Sequence, residues 1–114
     1  MSMSPASLEL IARFAAILDR FPQAQRRKMF GFPAVFVGGN LATGLYGEGW
    51  MVRLGPVETE RVVAAGDGVP FEPMPGRAMK GYVLLSDTAI ADDEAITDWV
   101  GRALVYAGTL PAKG

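Results

Sequence analysis

The chain contains no cysteine and no histidine. The first absence excludes a disulfide framework, a thiolate nucleophile and a Cys-based zinc site, and it fits a reducing compartment. The second removes the commonest general base near neutral pH and the usual imidazole metal ligand. Charge is also sparse, at 20% of residues. Most familiar enzyme mechanisms lose their residues here, so no catalytic set, cofactor or metal site is expected. A long apolar span is missing as well. Met29 to Gly47 is uncharged, but it holds Pro33, Asn40 and five glycines, which a membrane-crossing helix disfavours. The N-terminal apolar segment is broken by Glu9, Arg13 and Asp19 and has no basic leader, so no signal peptide and a cytoplasmic location are expected.

What is present suits a globular fold. Half of the 114 residues are hydrophobic, enough for one domain over 1–114 to bury its own core. No repeat, linker or low-complexity tract suggests a second. The net charge is −1, unevenly spread: residues 1–30 carry five basic and two acidic groups, and residues 82–114 the reverse. Internal cancellation between packed termini is the favoured reading.

Ser4 followed by Pro5 predicts a helix start, and the stripes Leu8, Ile11, Ala15, Leu18 and Leu10, Phe14, Ile17, Phe21 carry that helix to about Arg20, before Pro22. From Lys28 short apolar runs alternate with glycine. Gly38-Gly39-Asn40 and Gly47-Glu48-Gly49 read as hairpin turns in an antiparallel meander, and Pro33 predicts a break, a bulge or an edge position. Gly55-Pro56 opens a second helix that Gly66 closes. "FEPMPG", residues 71–76, reads as a loop into a strand from Arg77 to about Leu85. Asp92 caps a last helix bearing Ile96, Trp99, Val100, Ala103, Leu104 and Ala107, stopped by Gly108 and Pro111. The sum is an α+β, two-layer sandwich: a mainly antiparallel sheet with about three helices on one face and the other face open.

Strand alternation sends Trp50, Val52, Leu54, Met79, Val83 and Leu85 to one side. If that side meets the helices, the open face displays Met51, Arg53, Lys80, Tyr82 and Leu84. This mixture is too apolar for plain solvent, which makes it a candidate interface for a homodimer or a protein partner. As an alternative, Lys28, Arg53, Arg77 and Lys80 converge into an anion or small-molecule site, with Trp50 or Tyr82 stacking on a flat ligand. Solvated or internally paired charge is the plainer reading of these residues.

Other motifs fail on inspection. Gly44–Gly49 and Gly76–Gly81 have phosphate-loop spacing, but Trp50-Met51 and Tyr82-Val83 follow where lysine and a hydroxyl residue are needed. Gly47 and Gly49 begin a dinucleotide pattern that Val52 ends. Asp92, Asp93 and Glu94 are explained by capping. Arg26-Arg27-Lys28 is the only dense basic cluster, so nucleic acid ranks third among ligands, and as a direct one is not expected. "RRKMFGFPAVF" itself reads as architecture: Met29 and Phe30 on opposite sides of a strand, with Gly31 allowing a bend before Pro33.

The ordered set "RKMFG", "AVFVGGN", "W-x-VRL", "FEPMPGR-x-M", "YVLL" and a terminal helix with Trp99, Tyr106 and "LP" closely resembles the TfoX N-terminal domain (TfoX/Sxy-like) family, named for a bacterial competence regulator. The resemblance covers about residues 26–112. It implies a small bacterial α+β regulatory or interaction module without established catalytic activity, so it transfers no catalytic residues. The family's recurring residues fall on Arg27, Lys28, Met29, Phe30, Gly31, Arg53, Phe71, Gly76 and Met79. Phe32-Pro33 departs from the small residues that many members have after Met-Phe-Gly.

Overall fold

The computed structural model of the chain describes residues 6–113. Helix α1 spans Leu8–Leu18 and is capped by Ser7, whose side chain accepts from the Leu10 N–H at 3.1 Å. The start expected at Ser4 and Pro5 falls outside the described residues. Strands β1 (Gln25–Met29), β2 (Phe32–Val37), β3 (Asn40–Tyr46) and β4 (Gly49–Arg53) follow as consecutive antiparallel hairpins. Helix α2 (Pro56–Ala64) has Pro56 in its first turn, and Gly66, at φ 82°, takes the left-handed conformation that ends it. Strand β5 (Gly68–Pro70), an eleven-residue loop from Phe71 to Gly81, β6 (Tyr82–Leu85) and α3 (Asp93–Gly108) complete the chain. The Asp92 side chain caps α3 by accepting from the Ala95 N–H at 3.0 Å.

All six strands form one antiparallel sheet in the order β1-β2-β3-β4-β6-β5. Three two-residue turns drive the meander. Gly38 and Gly39 both have positive φ, as does Gly47, which matches the right-handed strand twist. The third turn is Phe30-Gly31, at φ 54° and 80°. Phe30 is therefore a corner residue and lies outside the strand, contrary to the alternation expected of it. Pro33 sits in an interior strand, not at an edge. Its nitrogen faces β3, whose ladder with β2 begins one residue later at Ala34 opposite Gly44, and a register shift follows between Val35 and Phe36.

The helices cover one face, as expected. Phe14, Ile17 and Leu18 of α1, Val62 of α2, and Ile96, Val100 and Ala103 of α3 pack on Val35, Leu45, Trp50, Val52, Val83 and Leu85. Trp50 is fully buried, with its ring 5.0 Å from that of Phe14. Its indole N–H donates to the Thr43 hydroxyl at 3.0 Å, and that hydroxyl donates to the Met51 carbonyl at 2.6 Å. Burying a polar threonine here satisfies a donor that would otherwise be stranded.

The opposite face is not open. Phe71, 1% exposed, and Met79 fold back from the loop onto Ala34, Leu41, Met51 and Tyr82, forming a second apolar cluster. The loop is pinned by its backbone: Phe71 N–H donates to the Tyr82 carbonyl at 3.1 Å, and Met79 N–H to the Phe71 carbonyl at 2.8 Å. The strand expected from Arg77 thus begins only at Tyr82, and Met79 belongs to this second cluster instead of the helix side. Gly81, at φ 87°, makes the bend, and its carbonyl accepts from both the Leu54 and Gly55 N–H groups.

Candidate functional site

The register fixes which charged groups share a side. Arg53 stands opposite Tyr82 on the loop-covered face. Its guanidinium lies 5.0 Å from the Tyr82 ring centroid and donates to the Leu41 carbonyl at 3.3 Å. Burial pushes the Tyr82 hydroxyl above its ordinary range; Arg53 partly offsets this and Tyr106 adds to it. Arg27, two residues from Met29 and so on the same face, lies 5.5 Å from the Phe36 ring centroid. Arg77 and Lys80 are exposed on the covering loop. Lys28 alternates to the other side of the sheet, opposite Pro33, and two strands, β2 and β3, separate it from Arg53. The four cations expected to converge therefore do not: Arg53, Arg77 and Lys80 share a side and Lys28 leaves it. Arg27 takes its place, which the period-two alternation of "QRRKM" would have shown had the ends of β1 been known.

The candidate interface residues divide similarly. Lys80 is exposed, Arg53 and Leu84 are half-buried, Tyr82 is 8% exposed, and Met51 is fully buried beneath the loop. Met51 has no surface to offer, because Phe71 and Met79 cover the sheet where bare strands were expected.

Charge separates by layer. The helices carry Glu9, Glu58, Glu60, Asp93, Glu94 and Asp98 against Arg13, Arg61 and Arg102. The loop-covered side carries Arg27, Arg53, Arg77 and Lys80 against Glu72, which is engaged with the Gly76 N–H at 2.9 Å. Among the described residues the salt bridges join Arg13 to Asp93, Arg26 to Asp19, Arg61 to Glu58 and Arg102 to Asp98. None involves the cations of the loop-covered side.

One corner of that side is apolar and exposed. Phe30 is 56% exposed and meets the Tyr46 ring edge-on at 5.5 Å; Tyr46 also contacts Phe32 and Phe71 and donates its hydroxyl to the Pro73 carbonyl at 2.7 Å. Met74, next in the loop, is 60% exposed. A wider concavity lies elsewhere among the described residues. It is an open groove of about 1060 Å³ along α3, lined by Phe21, Val37, Leu104, Val105 and Tyr106 among others, and includes none of Lys28, Arg53, Arg77 or Lys80. No helix among the described residues is long and apolar enough to cross a membrane.

These features define a class: a small α+β domain with one antiparallel sheet, helices on one face, and a loop folded over a cationic second face. The family model of the TfoX N-terminal domain matches residues 16–107, and the chain belongs to that family. It is not known as a family of enzymes. No curated protein matches the chain. Most of the positions that carry the resemblance, namely Arg27, Met29, Phe30, Gly31, Arg53, Phe71, Gly76 and Met79, lie on the second face, its loop or its corner.

Proposed function

We propose that the chain is a non-catalytic regulatory or interaction domain working through protein contacts on its cationic sheet side, and that its partner is acidic. One observation carries this reading: Arg27, Arg53, Arg77 and Lys80 lie on that side with no salt-bridged carboxylate among the described residues, while acidic groups collect on the helices. Like charges on one patch repel across a two-fold interface, where each residue meets its own counterpart's neighbourhood. A homodimer through Arg53, Lys80 and Tyr82 is therefore replaced here by a hetero-partner of opposite charge. The two guanidinium groups stacked on Phe36 and Tyr82 are held in place before any partner arrives, which lowers the ordering cost of binding. A bacterial cytoplasmic setting goes with this reading, since the fold needs no disulfide.

The test is titration with poly-L-glutamate. Binding at low salt that weakens steeply between about 50 and 200 mM salt is expected, as for any contact made by exposed charges. Arg53→Gln lowers it. Absence of binding at low salt, or tighter binding of an oligonucleotide that Arg53→Gln leaves unchanged, would remove the proposal.

A further inference from the structure

We propose that the free edge of β1 docks an extended acidic segment of a partner protein, with Phe30 as the apolar anchor at its end. The inference rests on the reading of the domain as a protein-contact module and adds where the contact is made and by which groups.

Among the described residues, β1 pairs only with β2. In a hairpin closed by a two-residue turn, Met29 and Phe32 exchange backbone bonds, and every second pair does so thereafter: Arg27 with Ala34, Gln25 with Phe36. The N–H and C=O groups of Arg26 and Lys28 therefore point outward, away from the sheet. Pro33 supports this phase. It stands opposite Lys28 and has no N–H to give, and its carbonyl oxygen lies on the β3 side, 3.0 Å from where a Cβ on Gly44 would sit. The outward groups of Arg26 and Lys28 form the repeat that an added antiparallel or parallel strand bonds.

The side chains on this edge select the sign of the added strand. Arg26, Arg27 and Lys28 are consecutive, so they present positive charge on both faces of the sheet. Arg26 is tied to Asp19 at 2.6 Å, whereas Arg27 and Lys28 take part in no salt bridge among the described residues. Carboxylates opposite them contribute roughly 0.2–1 kcal/mol for each pair. Charge alone is also how proteins protect an edge from unwanted pairing. What that protective role leaves unexplained is the tip. Phe30 occupies a corner at φ 54° that asparagine or glycine fills without strain, and as a large apolar residue it stays 56% exposed. Strain and exposure together mark a residue kept for a contact made outside the chain. Nucleic acid or a lipid surface would use the charges and the ring, but only another polypeptide supplies alternating C=O and N–H groups to Arg26 and Lys28.

The test uses a short synthetic peptide of alternating glutamate and valine, with a second version N-methylated at alternate residues, added to the nitrogen-labelled chain. At saturation, amide hydrogen exchange at Arg26 and Lys28 slows by about tenfold or more, and that at Arg27, already bonded to β2, is unchanged. The N-methylated peptide binds about tenfold more weakly, and Phe30→Asn, which retains a favourable turn, weakens the parent peptide about fivefold. Saturable binding with the Arg26 and Lys28 amides unchanged overturns the inference; if the affected residues are then Arg53, Arg77 and Lys80, the protein-contact reading survives it. Failure of the peptide to bind, with or without binding of anionic vesicles or an oligonucleotide, also overturns it.

Discussion

At Phe30 two opposing contributions are close in size. A non-glycine residue in the left-handed region costs about 1 kcal/mol or more, and an edge-on contact with Tyr46 returns about 0.5–1.5 kcal/mol. Phe30→Asn removes both, so urea unfolding should give a stability within about 0.5 kcal/mol of the parent, whereas Phe30→Val keeps the strain, loses the ring and should cost about 1–2 kcal/mol. A large loss with asparagine would mean that the ring is structural and the corner unstrained. Tyr82 makes a pH prediction. Its pKa in the fold is raised, first by burial, above the value near 10 of the unfolded chain. Its contribution is therefore complete below pH about 10 and lost as pH climbs through the raised value, because unfolding then allows the hydroxyl to ionise. The fall in melting temperature between pH 9 and 11 should be shallower in Tyr82→Phe; an identical fall would show that Tyr82 does not carry it. Thr43→Val strands the Trp50 indole N–H and should cost about 1–3 kcal/mol by urea denaturation.

At the scale of elements, the loop between β5 and β6 does the work of a second layer. Phe71 is almost wholly buried on Met51 and Tyr82, so Phe71→Ala should cost about 3–5 kcal/mol and expose dye-binding apolar surface. A loss below 1 kcal/mol would show the loop to be a loose cover. That layer is also where sequence and structure part. The two later helices were legible because each carries its own boundary chemistry: proline and then Gly66 for α2, Asp92 for α3. The hairpins at Gly38-Gly39 and Gly47-Glu48 were legible because glycine tolerates positive φ. The Phe30-Gly31 hairpin was not, since phenylalanine is a poor signal for such a turn. β5 is only three residues long and its pattern is too short to stand out from the α2 exit. The folding of Phe71 and Met79 over the second face is a tertiary event with no periodic signature, and the placing of Met51 and Met79 changed with it.

For the whole molecule, what matters is the separation of charge between layers. A net of −1 conceals an acidic helix layer and a basic sheet side, and this argues for a chain that meets an acidic partner and not its own copy. Light scattering at tens of micromolar should accordingly return the single-chain mass of 12.2 kDa; a stable doubled mass would favour the homodimer. The decisive comparison is between two charge reversals that change net charge equally, Arg77→Glu with Lys80→Glu on the covering loop and Arg61→Glu with Arg102→Glu on the helices, each titrated with poly-L-glutamate at low salt. The first pair should weaken binding about tenfold or more and the second by less than about threefold. Equal losses in the two variants would contradict the account, because attraction would then follow total charge and not the sheet side.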